Sequence, residues 1–150
     1  MSDAIPVSIL NGPNLDQLGQ REPALYGTTR WPELVALCRQ WAAAAGLRAE
    51  VDQVDAEGDL IARLRVAGQA SAGIVLNAAA YSHTSVALRD CLLCLQVPVV
   101  EVHLTNPMRR EPFRRTSFIT DVVTATVQGF GADGYRLAIE GLAALLRQRR

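Results

Sequence analysis

The 150-residue sequence predicts an α/β fold in which a five-stranded parallel sheet is covered by helices on both faces. Short apolar segments alternate along the chain with longer segments of helical periodicity, which is the pattern of βαβ units. Hydrophobic residues make up 49% and charged residues 20% of the chain, and this length and composition suffice for one core without disulfides. We therefore expect residues 1–150 to form a single domain.

The strands are predicted from apolar runs that end in turn-forming residues. In chain order they are 6–10, 47–54, 73–77, 97–104 and 122–130. Apolar residues spaced three or four apart predict the helices. These cover 31–45, 58–68, 83–96 and 135–147, with Ser82 as the N-cap of the third.

This succession is typical of a flavodoxin-like three-layer sandwich, for which we expect the strand order 2-1-3-4-5. In such sheets, ligands bind beyond the carboxyl ends of the strands. His83 and His103 are the two histidines of the chain, and both lie at this predicted edge. One histidine near a strand end is more often structural, but two of two there favour a functional role.

The connection after the first strand, residues 15–27, is long for a strand-to-helix loop. It carries Arg21 and Tyr26 between two glycines, which is typical of an active-site lid, although a plain surface loop is the alternative. Residues 109–115 contain four arginines. They form either a solvated helix face or a source of guanidinium groups for a substrate carboxylate.

Composition excludes several kinds of site. All 15 basic residues are arginines, and the absence of lysine excludes a Schiff base and a phosphate-binding loop of the lysine type. Zero net charge provides no basic surface for nucleic acid or an anionic membrane. Cys91 and Cys94 lie in an apolar helical segment, which favours buried structural thiols over a redox or zinc site. With no signal-peptide pattern and no membrane-length apolar run, we expect a cytoplasmic protein.

Four sequence blocks follow one another along the chain. They are NGPNL (11–15) with REP (21–23) and YG (26–27), NAAAYSHTSVALRD (77–90), EVHLTN (101–106) with REPFR (110–114), and GFG (129–131) with GY (134–135). In this order they resemble the type II 3-dehydroquinate dehydratases. Because the likeness extends over the whole chain, it is more specific than any single motif.

The resemblance implies a hydro-lyase that removes water from 3-dehydroquinate by anti elimination and forms 3-dehydroshikimate. This family proceeds through an enolate with no cofactor, no metal and no imine, which agrees with the missing lysines. It serves the shikimate pathway of aromatic biosynthesis or the breakdown of quinate. The resemblance also implies a homododecamer, a tetramer of trimers.

The resemblance further implies roles for individual residues. Tyr26 is expected to be the general base, with Arg21 favouring its phenolate by charge. Asn14 is expected to help stabilise the enolate oxygen. His103 is expected to be the general acid, oriented by Glu101 two residues earlier on the same strand face.

The remaining implied roles concern substrate binding. The residues expected to bind substrate hydroxyls and the carboxylate are Asn77, His83, Leu104, Thr105, Arg114 and, from a neighbouring subunit, Asp90. A non-catalytic module that binds a small molecule on the same scaffold is the alternative. Such a module has no need of a Tyr–Arg pair on a lid or a His–Glu pair on a strand. A structural subunit of a larger assembly agrees less well with so many polar groups at the strand ends.

Overall fold

The computed structural model describes residues 3–150 and confirms the predicted fold and strand order. One parallel sheet has the order β2-β1-β3-β4-β5. Its strands are β1 (Ile5–Asn11), β2 (Leu47–Gln53), β3 (Ile74–Asn77), β4 (Val99–His103) and β5 (Ala125–Gln128). The helices are α1 (Pro23–Tyr26), α2 (Trp31–Ala44), α3 (Glu57–Ala70), α4 (Val86–Cys94) and α5 (Asp133–Gln148). Short 3-10 turns span Leu15–Gln17, Ala79–His83, Pro107–Arg109 and Pro112–Arg115.

The central strands separate two hydrophobic cores. Successive side chains of a strand point to opposite faces, so Val75 of β3 joins the core formed with α2 and α5. Its neighbours Ile74 and Leu76 join the core formed with α3 and α4. All four residues of β3 are buried, as expected for a strand covered on both faces. The carboxyl ends of β1, β3 and β4 are thereby held side by side at one edge.

The connection between β3 and α4 differs from the predicted one. Ser82 is not the N-cap of α4, because the chain first forms the 3-10 turn Ala79–His83. The cap is Ser85, whose Oγ accepts a hydrogen bond of 2.9 Å from the backbone N–H of Leu88. Ser82 and Ser85 are three positions apart, and from sequence alone either one is an equally good N-cap. The turn places His83 outside the helix, at the strand-end edge.

β5 is shorter than the predicted segment 122–130. Val122 and Val123 lie in turns, and their backbone N–H groups donate to the carbonyl of the buried Ile119. Their β-branched side chains pack against the core of the α3 and α4 layer. β-branched residues fit a half-buried surface whether it is a strand or a turn, so the pattern overestimated the strand.

The three cysteines are free thiols. Cys38 and Cys91 are buried, whereas Cys94 is exposed on α4, so the prediction of buried thiols is wrong for Cys94. Across residues 3–150, no helix combines the length and apolar character needed to cross a membrane.

Candidate active site

One cavity opens at the carboxyl ends of β1, β3 and β4, where the sequence predicted a ligand site. Its wall comes from the lid after β1 and from the connections that follow β3 and β4. The polar or predicted residues on this wall are Asn14, Arg21, Tyr26, Asn77, His83, His103, Leu104, Thr105, Arg110 and Arg114. Two predicted residues are absent from the wall. Glu101 lies behind His103, and Asp90 is exposed on α4 away from the cavity.

The His103–Glu101 pair is buried at the end of β4. Nε2 of His103 lies 2.8 Å from Oε2 of Glu101. The Glu101 side chain has no exposed surface, and His103 is 8% exposed. A carboxylate only accepts hydrogen bonds, so Nε2 carries a proton and Nδ1 is the nitrogen available for exchange with a ligand.

A second partner of Glu101 comes from a distant segment. The hydroxyl of Thr120 donates to Oε1 of Glu101 over 2.7 Å. Thr120 also lies 2.8 Å from the hydroxyl of Ser117. Thr120 carries no motif signal in the sequence, because it lies in a turn 19 residues after Glu101.

Asn77 is held by a buried hydrogen-bond network that joins three elements. Its Nδ2 donates to the hydroxyl of Tyr135 on α5 over 2.9 Å, and this hydroxyl donates to Oδ1 of Asn11 over 2.5 Å. Oδ1 of Asn77 accepts from the backbone N–H of Ala79 over 3.1 Å. Burial raises the pKa of the Tyr135 phenol far above its ordinary value, so this group is a neutral structural hydroxyl. One N–H of the Asn77 amide is left for a ligand.

The lid places two guanidinium groups against the Tyr26 ring. The Cζ atoms of Arg21 and Arg110 each lie 5.2 Å from the ring centroid. Arg21 belongs to the lid, whereas Arg110 follows β4 and its side chain is 13% exposed. Arg110 was one of four neighbouring arginines in the sequence, and only the fold selects it as the partner of Tyr26.

Left-handed backbone conformations cluster at this cavity. Asn14 and Ala79, both on its wall, have φ angles of 68° and 52°. Such conformations are uncommon for residues other than glycine, less so for asparagine than for alanine, and strained backbone of this kind clusters at functional sites. The conformation of Asn14 is supported by Asp55, whose Oδ1 accepts from the Asn14 backbone N–H over 3.1 Å. The same oxygen accepts from Nε2 of Gln53 over 2.8 Å.

Gly12 allows the connections after β1 and β3 to touch. Its backbone N–H donates to the carbonyl of Asn77 over 2.7 Å. A Cβ at this position would lie 2.6 Å from the carbonyl oxygen of Ala78. Only glycine fits this approach, which brings Asn14 and Asn77 to one cavity.

His83 and Arg114 supply further polar groups to the wall. Nδ1 of His83 lies 2.8 Å from the carbonyl of Thr116, so Nδ1 carries a proton and Nε2 of the neutral ring is an acceptor. Nε of Arg114 donates to Oε2 of Glu111 over 2.6 Å. The backbone amide of Glu111 and then the Arg114 guanidinium lower the pKa of this carboxyl. The other N–H groups of Arg114 remain for a ligand carboxylate. Within residues 3–150, no three His, Cys, Asp or Glu side chains form a group that could hold a metal ion.

Comparison with known proteins identifies the family. Residues 5–143 match the family model described as dehydroquinase class II. The chain is 50% identical over 141 residues to 3-dehydroquinate dehydratase 1 of Bradyrhizobium diazoefficiens, covering 93% of this chain and 91% of that protein. It is 49% identical over 138 residues to the 3-dehydroquinate dehydratase of Salinispora arenicola, covering 92% and 96%.

A solved structure agrees with the sequence relatives. The type II dehydroquinase of Propionibacterium acnes superimposes with a TM-score of 0.90 at 40% identity, over 96% of this chain and 98% of that one. The family model and the full-length likeness confirm the resemblance that the four sequence blocks indicated. The chain therefore belongs to the class II dehydroquinase family.

Proposed function

We propose that this chain catalyses the dehydration of 3-dehydroquinate to 3-dehydroshikimate. The observation that carries the proposal is that one cavity unites Tyr26 and its two guanidinium partners with the buried His103–Glu101 pair. Elimination beside a ketone needs a base and an acid that act on the same substrate. The relatives at about 50% identity carry the name of this reaction.

In the proposed first step, the Tyr26 phenolate removes a proton from the carbon next to the ketone, and the electron pair forms an enolate. A free phenol has an ordinary pKa near ~10, so this base needs help at neutral pH. The guanidinium groups of Arg21 and Arg110 lie beside the ring and are proposed to assist this proton transfer. Asn14 contributes a polar group that stabilises the enolate oxygen.

In the second step, the enolate electrons reform the ketone and expel the β-hydroxyl in an anti elimination. The hydroxyl takes a proton from His103 and leaves as water. The Glu101 carboxylate fixes the imidazole and stabilises its positively charged form before the proton is given up. No step needs an imine, a cofactor or a metal ion. Aromatic biosynthesis and quinate breakdown use the same reaction, and both are compatible with this site.

The substrate carboxylate is proposed to bind to the backbone N–H groups of Leu104 and Thr105 and to Arg114. Asn77 and His83 are proposed to bind the ring hydroxyls. These five residues share the cavity wall with the acid and the base.

We also propose that the active form is a cytoplasmic homododecamer, a tetramer of trimers. Support comes from Asp90, which is exposed on α4 and absent from the cavity of its own chain, so that it is free to reach the site of a neighbouring subunit. Light scattering should then give twelve times the 16.2 kDa subunit mass. A monomer that turns over substrate at full rate would contradict this proposal.

The reaction is tested by mixing the purified protein with 3-dehydroquinate in buffer with a chelator and no added cofactor. The ultraviolet absorbance of the conjugated product should rise. Treatment of the enzyme with borohydride in the presence of 3-dehydroquinate, followed by removal of both, should leave the rate unchanged. Sensitivity to borohydride would contradict a mechanism without an imine. Binding of 3-dehydroquinate without product would contradict the dehydratase and support the non-catalytic binding module.

A further inference from the structure

Among residues 3–150, Glu101 is the one carboxylate whose side chain is fully buried. His103 is its only ion-pair partner in that part of the chain, and no arginine reaches it. A buried carboxylate is stable in its charged form only when each oxygen has a hydrogen-bond donor. Oε2 has His103 at 2.8 Å, and Oε1 has the Thr120 hydroxyl at 2.7 Å.

The Thr120 hydroxyl donates its proton to Oε1 of Glu101. A hydroxyl has one proton, and two acceptors compete for it: Oε1 of Glu101 at 2.7 Å and the hydroxyl oxygen of Ser117 at 2.8 Å. An ionised carboxylate is the stronger acceptor. Ser117 is itself held in place, because its oxygen accepts backbone N–H groups from Ile119 and Thr120 at 3.2 and 3.1 Å.

We propose that Thr120 is a positioning residue for proton transfer by His103. Its hydroxyl occupies Oε1 of Glu101 and thereby holds Oε2 toward the imidazole, which fixes the ring that protonates the leaving hydroxyl. The inference rests on the proposed role of His103 as the acid. It assigns a function to the segment that contains Thr120, between residues 115 and 125. No sequence motif marked this segment.

The test compares three threonine variants in the dehydration assay. Thr120→Val removes the hydroxyl with little change of shape, and Thr120→Ser keeps it. We expect Thr120→Val to lower kcat about tenfold or more with KM changed less than about threefold. Thr120 lies on an adjoining cavity that shares His83, His103 and Arg114, but it is absent from the wall of the Tyr26 cavity, and its hydroxyl is engaged by Glu101. Thr120→Ser should retain kcat within about threefold. Thr120→Ala is the second variant if valine prevents folding.

Thr124→Val is the matched control. Thr124 lies four residues further along and accepts a hydrogen bond of 3.1 Å from the Val99 backbone N–H, so its loss also weakens this region. Among residues 3–150, the Thr124 hydroxyl forms no hydrogen bond with Glu101. Its kcat should stay within about twofold of the wild type. An equal loss of kcat in Thr124→Val and Thr120→Val would overturn the proposal in favour of a purely structural role.

A spectroscopic readout separates this inference from the proposed reaction. The chain has two histidines, so the imidazole nitrogen signals of His103 and His83 can be assigned by single substitutions. The His103 signals should shift in Thr120→Val and stay unchanged in Thr120→Ser and Thr124→Val. Unchanged His103 signals in Thr120→Val would overturn the inference, even if the wild type proves inactive on 3-dehydroquinate. If the His103 signals shift in Thr120→Val but the wild type does not dehydrate 3-dehydroquinate, the proposed function is contradicted and the positioning of His103 by Thr120 is supported.

Discussion

The β4 side of the cavity and the lid that carries Tyr26 are held in place by different interactions. On the β4 side, Glu101 and His103 are buried, and both oxygens of the carboxylate have donors. On the lid, the side chain of Arg21 is 45% exposed, and the Tyr26 hydroxyl forms no hydrogen bond with any of residues 3–150. The Tyr26 end of the lid therefore depends on ring-to-guanidinium contacts, although Leu15 and Leu18 hold the start of the lid in the hydrophobic core. The β4 side depends on a hydrogen-bonded network.

This difference matches the tasks proposed for the two sides. The proposed acid, His103, is buried and needs a fixed charge partner, since charged groups are costly to bury without one. The part of the lid that carries Arg21 and Tyr26 must let substrate enter, and none of residues 21–27 is buried. We expect substitutions of Arg21 and Tyr26 to reduce turnover with little effect on stability, and substitutions on the β4 side to reduce both.

The largest expected effect is that of Tyr26→Phe. Deleting the proposed base should lower kcat about 10²–10⁴-fold, while the affinity for 3-dehydroquinate stays within about tenfold. The thermal midpoint should not change, because the lost hydroxyl has no partner in the folded chain described here. Tyr81→Phe is the matched control, since its hydroxyl donates to the Asp55 carbonyl over 2.6 Å and its loss should affect stability more than turnover. A Tyr26→Phe enzyme that turns over normally would show that another group is the base.

On the β4 side, Glu101→Gln should lower both kcat and stability. The neutral amide no longer stabilises a charged imidazole. Its NH₂ group would also face His103 or Thr120, which act as hydrogen-bond donors here, so two donors would meet without an acceptor. We expect kcat to fall at least about tenfold and the free energy of unfolding to fall by about 1–3 kcal/mol. Urea unfolding and steady-state kinetics measure the two effects. A loss of activity with unchanged stability would remove the contrast with the lid.

Gly12→Ala tests the contact that brings the two sides together. The added Cβ would lie 2.6 Å from a backbone oxygen that cannot move freely, so we expect a loss of about 1–3 kcal/mol of stability. Gly141→Ala on α5 is the control, because it meets no atom within 4 Å and should stabilise the helix by about 0.5–1 kcal/mol. Equal midpoints for the two variants in thermal unfolding would contradict the close approach.

The smallest effect appears only in alkaline solution. Burial raises the pKa of the Cys38 thiol to about 12, on the face of the sheet that also holds Tyr135. In the unfolded chain this thiol ionises near pH 9, so the unfolded state loses the proton first. The contribution to stability is present below pH 9 and is lost as the pH rises toward 12. Urea unfolding at pH 8 and pH 10 should show the decrease, and Cys38→Ala should make it smaller.

Much of the fold was predictable because apolar periodicity is a local property. The five strands and four main helices follow from the spacing of apolar residues, and the parallel direction of the strands follows from their alternation with helices. The strand order was expected only by analogy with flavodoxin-like folds. The family resemblance implied the pairing of Glu101 with His103, and strand geometry allows it because residues two apart on a strand share a face. The errors lie where local rules are ambiguous, as between Ser82 and Ser85 as helix caps.

The sequence by itself determined which side chains stand at the strand ends, since each of them follows directly from its own strand. Only the tertiary structure decided which distant residues hold those side chains. Tyr135 lies 58 residues from Asn77, Thr120 lies 19 residues from Glu101, and Arg110 was one of four equivalent arginines until the fold placed it beside Tyr26. These partners depend on how layers and turns pack across the sheet, and no local pattern encodes such contacts.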